Sequence, residues 1–156
     1  MNEHAEQFVP LIIADIYELA SLLRRNAEAL ARPLGHSQAR WQVLSAASIG
    51  DMTVPQLARR LGVARQNVQR TADVLVADGQ ARFEPNPDHK TSPHLVLTAS
   101  GRATLRQLTR HARAYYREVA HGLSDPDLVA LRDSLQTFRN ALERRENQRT
   151  EGKHDR

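Results

Sequence analysis

Residues 53–79 read TVPQLARRLGVARQNVQRTADVLVADG, and this stretch predicts two short helices joined by a tight turn. Thr53 is a favourable N-cap and Gln56 lies three residues on, so the pair predicts a capping box at the start of the first helix. Pro55 fits that first turn without the loss of a hydrogen bond. Gly62 is expected to end the helix, because glycine readily adopts the left-handed conformation found at helix C-termini. The pattern is typical of a helix-turn-helix.

The second helix of this motif has a polar face suited to reading DNA. At about 100° per residue, its apolar side chains gather on one side, and its amide and guanidinium groups lie opposite and on the flanks. Asn and Gln pair with adenine, and Arg with guanine, in the major groove, and recognition helices present such groups from their N-terminal turns. Asp73 should be repelled by phosphate, so contact is expected to end near Arg70; the plainer alternative is an ordinary amphipathic helix with a solvated face. The candidate DNA-binding residues of the motif are Thr53, Arg65, Gln66, Asn67, Gln69 and Arg70.

A β-hairpin is predicted after the second helix. Residues 81–85 and 94–98 are two short strand candidates with a period of two. The loop between them, NPDHKTSP, is polar and contains two prolines, so it should form a protruding tip. Asp88, His89 and Lys90 occupy this tip and are further candidates for contact with DNA. Helix, turn, helix and hairpin in this order predict a winged helix-turn-helix.

Four segments carry a resemblance to a known family. They are LARRLGV at 57–63, RTADVLVADG at 70–79, the wing tip at 88–90 and LTASGR at 97–102. Together with a long helix before them and two after, they resemble the MarR family of winged-helix transcriptional regulators over nearly the whole chain. The resemblance implies a sequence-specific DNA-binding regulator, and more narrowly a ligand-responsive repressor that binds a pseudo-palindromic operator in double-stranded DNA as a homodimer.

Two residues depart from the usual pattern of that family. Ala64 lies where the recognition helix normally has a Ser or Thr N-cap, and the loss of that cap costs about 1 kcal/mol. Lys90 lies at the wing tip where the family typically has an Arg. Because Lys is a point charge without the planar guanidinium fork, we expect it to contact phosphate rather than read the minor groove.

The predicted fold class is mainly α with a minor α+β character, as a single domain over residues 1–156. The winged core should occupy about residues 36–98. Long helices are expected at about 8–32, 99–121 and 124–146, where apolar residues recur in steps of three and four. The resemblance implies that these helices form the dimer interface, which would place two recognition helices about one DNA turn, ~34–36 Å, apart.

Composition restricts the remaining possibilities. The net charge of +4 is compatible with nucleic acid but too small to establish it. The chain has no cysteine, which removes disulfides, thiolate metal sites and thiol-based redox sensing. The N-terminus lacks a basic segment followed by an apolar core, and no apolar run approaches the ~20 residues that span a bilayer. We therefore expect a cytoplasmic protein that does not contact membranes.

A small-molecule effector is implied by the resemblance alone. Family members typically bind small phenolic or aromatic acids between the dimer helices and the winged domain, and this binding changes DNA affinity. The residues of this chain expected near such a pocket are Tyr17, His36, Trp41 and Arg102. Each has a plainer interpretation: Trp41 fits a helix core, Tyr17 an exposed or interfacial position, His36 a loop at a helix cap, and Arg102 a solvated helical face.

Other classes of protein fit the sequence less well. A metal-responsive winged-helix repressor would need clustered ligands, whereas the seven histidines are scattered. A winged-helix module that binds proteins rather than DNA would keep the same fold, and the amides of the polar face argue against it. No nucleophile elbow, phosphate-binding glycine loop or paired carboxylates are found, so no enzyme and no cofactor are expected.

Overall fold

The computed structural model describes residues 3–89 and 91–154, and this part of the chain is mainly helical, as predicted. Its helices are α1 (Glu3–Ala31), α2 (Gln38–Ala47), α3 (Val54–Leu61), α4 (Arg65–Ala77), α5 (Ala99–His111), α6 (Arg113–Val119) and α7 (Asp125–His154), with a 3₁₀ turn at Arg32–Leu34. Its strands are β1 (Met52–Thr53), β2 (Ala81–Glu84) and β3 (His94–Leu97). The predicted winged helix-turn-helix is confirmed.

The three strands form an antiparallel sheet in the order β1-β3-β2. Strands β2 and β3 are the predicted hairpin, with Phe83 opposite Leu95 and Ala81 opposite Leu97. Strand β1, which pairs Met52 with Leu95, was not predicted, because two residues are too short to show a period of two. It joins the entrance of α3 to the base of the wing.

The core of the winged part lies between α2, α3, α4, α5 and the sheet. Its largest fully buried side chains are Leu44, Leu57, Val68, Leu75, Leu95, Leu97 and Leu108. Burial of each such side chain contributes about 1.5–3 kcal/mol. Because α4 supplies Val68 and Leu75 to this core, its opposite face is directed to the surface.

A close backbone approach joins α5 to the start of β2. Gly101 is buried in the first turn of α5, and a Cβ added there would lie 1.9 Å from the carbonyl oxygen of Gln80. The Thr98 backbone N–H donates to the same oxygen at 3.1 Å, and the Thr98 hydroxyl donates to the Gly79 carbonyl at 2.7 Å. Only glycine leaves space for this approach.

The long helices differ from prediction at their ends. The first helix was expected at 8–32 and starts earlier, at Glu3, while the last was expected at 124–146 and extends to His154. The helix expected over 99–121 was wrong as one element, since it is interrupted at Ala112 between α5 and α6. Ala112 has ψ −8, far from the ~−42° of an α-helix, and its N–H is shared between the carbonyls of residues 108 and 110.

The chain divides into two compact units, residues 1–112 and 113–156, and the single domain expected from the sequence stays a prediction. The first unit contains α1 and the winged part, and the second contains α6 and α7. In the second unit, Ser124 and Asp127 form a capping box at the start of α7: the Ser124 N–H donates to the Asp127 carboxylate at 3.0 Å and the Asp127 N–H donates to Ser124 Oγ at 3.3 Å.

Candidate nucleic-acid interface

The turn between α3 and α4 is built as the sequence predicts. The Thr53 N–H donates to Gln56 Oε1 at 2.7 Å, and the Gln56 N–H donates to Thr53 Oγ1 at 3.4 Å, which completes the capping box. Gly62 follows α3 with φ 63, and its N–H donates to the carbonyls of residues 58 and 59. Thr53 itself is only 6% exposed, so it orients α3 and has little surface to offer DNA.

The exposed face of α4 carries most of the candidate base-reading groups. Val68, Ala72 and Leu75 are buried against the core. Among the candidate DNA-binding residues of this helix, those with exposed side chains are Arg65, Gln66, Asn67 and Arg70. Gln69 is half-buried at one edge of this face. The helix therefore presents guanidinium and amide groups from its first turns, which is the geometry that reads base edges in a major groove.

Asp73 has a partner that sequence reasoning missed. Gln69 Nε2 donates to Asp73 Oδ1 at 2.8 Å, one helical turn further along α4. From the sequence, Asp73 was expected only to repel phosphate. The i,i+4 spacing of the pair was present in the sequence and is a known signal for such a hydrogen bond on a helix surface.

The N-terminus of α4 lacks a side-chain cap, as the sequence predicts. Ala64 makes no side-chain hydrogen bond to this end, and its backbone has φ −60 and ψ 137, which leads the chain into the helix. The Asn67 N–H donates to the Ala64 carbonyl at 3.0 Å, whereas the N–H groups that open the helix before it have no carbonyl one turn earlier to accept from them. These groups and the positive end of the helix dipole attract an anion such as a DNA phosphate.

Arginine side chains surround this turn. Arg59 and Arg60 lie in the last turn of α3, and Arg65 is the first residue of α4. All three are exposed. Together they concentrate positive charge beside the N-terminus of α4. Positive charge at this position favours the phosphate backbone on either side of a major groove.

The wing loop is organised by Asn86, a buried residue that sequence reasoning did not single out. Asn86 Nδ2 donates to the Ser92 carbonyl at 3.1 Å, and Asn86 Oδ1 accepts from the Asp88 N–H at 3.0 Å. This is an Asx turn, and an Asn next to a Pro was the signal that could have found it. Asp88 and His89 are exposed at the tip, as predicted, whereas Lys90 lies outside the described residues.

A polar network that the sequence did not predict fixes the C-terminal end of α4. Arg40, on α2, forms an ion pair with Asp78, the C-cap of α4, and also donates to Gln80 Oε1 at 3.3 Å. Gln80 Nε2 in turn donates to Thr104 Oγ1, on α5, at 3.2 Å. The network ties α2, α4, the residue before β2 and α5 together at one end of the recognition helix.

His36 lies beside this network. Burial lowers the pKa of His36 below its ordinary value of 6.5, the positive charge of Arg40 lowers it further, and Asp78 opposes them. Its Nδ1 is buried and finds no hydrogen-bond partner within the described part of the chain. A neutral imidazole is the form that this environment favours.

The four predicted effector residues lie in different surroundings. Tyr17 is 73% exposed on α1, whereas Trp41 is 9% exposed and belongs to the core. Arg102 donates from Nη1 to the Leu97 carbonyl at 2.7 Å. Among residues 3–89 and 91–154, no hydrogen bond or ion pair joins any two of the four, so the pocket stays a prediction. Trp41 fits its plainer interpretation as a core residue.

The described residues, 3–89 and 91–154, contain no group of three or more His, Cys, Asp or Glu side chains placed to hold a metal ion. None of the helices they form has the length and apolar character required to cross a membrane.

Comparisons with known proteins agree with this geometry. The sequence model of the MarR family matches residues 34–90, which include the helix-turn-helix and the first half of the wing. An uncharacterised protein of Mycobacterium tuberculosis is 50% identical over 131 residues, which cover 84% of this chain and 92% of that protein. The transcriptional activatory protein BadR of Rhodopseudomonas palustris is 30% identical over 119 residues, covering 73% of this chain and 68% of BadR.

Solved structures share the fold. A mutant MarR from E. coli complexed with operator DNA is similar with a TM-score of 0.67 and 24% identity, over 86% of this chain and 96% of that one. CouR from Rhodococcus jostii, bound to p-coumaroyl-CoA, is similar with a TM-score of 0.69 and 17% identity, over 79% of this chain and 87% of CouR. The relatives, the matched motif and the winged helix-turn-helix agree, and the chain belongs to the MarR family of transcriptional regulators.

Proposed function

We propose that the chain regulates transcription by binding a pseudo-palindromic DNA operator as a homodimer. The observation that carries the proposal is the exposed guanidinium and amide face at the start of α4, which is backed by the buried Val68 and Leu75. The fold is shared with a MarR protein complexed with operator DNA, and BadR is a named transcriptional regulator. Both likenesses support the same role for this surface.

The contacts to DNA divide into two kinds. Gln66, Asn67, Gln69 and Arg70 are the proposed base-reading residues, because an amide offers a donor beside an acceptor and a guanidinium offers two parallel donors, and both pairs distinguish base edges. Arg65, the first residue of α4, and the wing residues His89 and Lys90 are assigned to phosphate, since their side chains are cationic or polar. Phosphate contacts set the register of the protein on DNA, and base contacts set its sequence preference.

Asp88 and Thr53 have indirect roles in this proposal. Asp88 is the residue whose N–H is held by Asn86, so it shapes the wing tip, and its carboxylate would be repelled by phosphate. Thr53 is buried in its capping box and sets the direction of α3. Substitutions at either residue should alter affinity through the geometry of their neighbours.

A second copy of the chain is the proposed partner of the long helices. On α1, large apolar side chains are exposed, namely Phe8, Leu11, Ile12, Ile13, Leu19, Leu22 and Leu23. On α7, Leu128, Leu131, Leu135 and Leu142 are exposed in steps of three, four and seven. Apolar surface of this extent on a helix is typical of an interface. Sedimentation at micromolar concentration should give twice the 17.6 kDa of one chain, and a stable monomer would contradict the proposal.

Ligand control is the remaining part of the proposal. CouR is bound to p-coumaroyl-CoA, which supports a small aromatic or phenolic effector for this chain, and the candidate residues for it are Tyr17, His36, Trp41 and Arg102. We assign the regulator as a repressor that the effector releases. Because BadR is named an activator, repression by this chain needs a test of its own. Expression of a reporter from the chain's own upstream region is measured with and without the protein.

DNA binding to the chain's own upstream region tests the proposed function. Labelled duplex from that region is titrated with protein across a salt series, and a scrambled duplex of the same length and composition is the control. Specific binding should exceed binding to the scrambled duplex by ~10³-fold or more at physiological salt. Equal affinities for both duplexes, at every salt concentration, would exclude this region as a target. Sequence enrichment from a library of random duplexes is then the second measurement, and the absence of a common site among the enriched duplexes would refute sequence-specific binding.

A further inference from the structure

The hydrogen bond between Gln69 and Asp73 fixes the orientation of one candidate base-reading side chain. Gln69 Nε2 lies 2.8 Å from Asp73 Oδ1, and the Asp73 side chain is exposed. An ionised carboxylate only accepts hydrogen bonds, so the amide nitrogen of Gln69, and not its oxygen, has to face Asp73. The carboxylate therefore fixes the orientation of the Gln69 amide, with Nε2 directed toward Asp73 and Oε1 directed away from it.

A fixed amide changes what Gln69 can distinguish. A glutamine reads adenine when its oxygen accepts from N6 and its nitrogen donates to N7. An unrestrained amide can turn over and present donor and acceptor in the opposite order, which weakens the distinction between bases. Nε2 carries two hydrogens. One is donated to Asp73, and the other remains available beside Oε1 for the N7 of adenine.

We propose that Asp73 is a positioning residue that makes Gln69 a reader of adenine in the major groove. The inference rests on the proposed DNA-binding function of α4 and deepens it. Asp73 acts through Gln69 and does not itself touch a base. Its negative charge also repels phosphate, so its loss should strengthen binding to every sequence while it weakens one base preference. These two effects have opposite signs and can be measured separately.

The test is sequence enrichment from a random duplex library with five forms of the full chain: wild type, Asp73→Ala, Asp73→Glu, Gln69→Ala and the double variant that combines Asp73→Ala with Gln69→Ala. Both residues lie on the accessible side of α4, and Ala is a better helix former than Asp, so the variants should fold. Far-UV circular dichroism and melting temperature confirm this before binding is measured. The glutamate variant keeps a carboxylate within reach of Gln69 and serves as the conservative rescue.

Wild type and Asp73→Glu should prefer adenine at one base position of each half-site by about tenfold, which is the discrimination expected of one bidentate contact. The preference for adenine should fall to about twofold in Asp73→Ala, whereas the affinity of this variant for DNA of any sequence should rise. Gln69→Ala should lose its preference at the same base position. In the double variant, the Asp73 change should cause no further loss of preference. A merely structural or electrostatic role of Asp73 would leave the base profile unchanged.

Three results would overturn the inference. If Asp73→Ala enriches the same bases as wild type with the same strength, Asp73 does not position Gln69, although DNA reading by α4 stands. If the Asp73 and Gln69 variants lose base preference at different positions of the half-site, Asp73 reads a base of its own. If wild type enriches no sequence at all, the proposed function fails and this inference fails with it.

Discussion

Replacement of Gly101 by alanine separates local helix propensity from tertiary packing. Propensity alone predicts stabilisation, because Ala is more favourable than Gly in a helix by about 1 kcal/mol. The structure predicts the reverse. The new Cβ would lie 1.9 Å from the Gln80 carbonyl oxygen and 2.9 Å from its carbonyl carbon, both of which are backbone atoms. No side-chain rotation can relieve the contact, so α5 or the start of β2 has to move.

The expected cost follows from these opposing terms. Overpacking costs about 1–3 kcal/mol, and we take the upper end, about 3 kcal/mol, because both partners are backbone. After the gain of about 1 kcal/mol in propensity, a net loss of about 2 kcal/mol remains. For a chain of this size, that loss lowers the melting temperature by about 4–8 °C. Differential scanning calorimetry and urea unfolding measure the two quantities.

Gly50→Ala is the matched control for this experiment. A Cβ added at Gly50 meets no atom within 4 Å, and Gly50 is not among the glycines with positive φ. Its replacement should stabilise the protein by about 0.4–1 kcal/mol through the unfolded chain. If Gly101→Ala melts at or above the wild-type temperature, the close approach between α5 and Gln80 is wrong. If both variants lose stability equally, the loss reflects glycine replacement in general and not this contact.

Four further predictions concern single residues. Arg70→Ala should relax base preference at one position of each half-site and cost about 1–3 kcal/mol there, as measured by competition between operator variants; equal loss on every sequence would exclude base reading. Lys90→Ala should weaken binding to all sequences alike and flatten the logarithmic salt dependence by about one unit, so an unchanged slope would contradict a phosphate contact. Ala64→Ser should supply the missing cap of α4 and stabilise the free protein by about 1 kcal/mol in urea unfolding; no gain would mean that this helix end is already satisfied. Burial and Arg40 lower the pKa of His36, so the unfolded chain binds a proton at this residue more tightly than the folded chain does. The free energy of unfolding should therefore decline as the pH falls through 6.5, and His36→Gln should reduce that decline.

Local sequence signals predicted the helix-turn-helix because they act over three or four residues. The capping box of Thr53 and Gln56 and the glycine turn at Gly62 both formed as expected. The break at Ala112 has no such signal, since neither Gly nor Pro marks it. Strand β1 depends on pairing with a strand more than forty residues away, which its own two residues cannot encode.

The candidate site was predictable to the extent that it lies on one helix face. The exposed positions of α4 follow from its period, and the structure places Gln66, Asn67 and Arg70 there. The ion pair of Arg40 with Asp78 spans 38 residues of sequence, so no local pattern could reveal it. The Gln69–Asp73 bond was local, but charge repulsion alone was considered at Asp73.

The attachment of α4 at its C-terminal end has a mechanical consequence. The Arg40 network holds the last turn at Asp78, whereas the first of the proposed base-reading residues, Gln66, lies near the opposite end of a 13-residue helix. At 1.5 Å per residue, that lever arm is about 20 Å long. A tilt of about 5° at the anchored end would carry the tip through about 1.7 Å, enough to break hydrogen bonds that tolerate only a few tenths of an ångström. A small displacement of α2 or α5 would thus be amplified into the loss of base contacts.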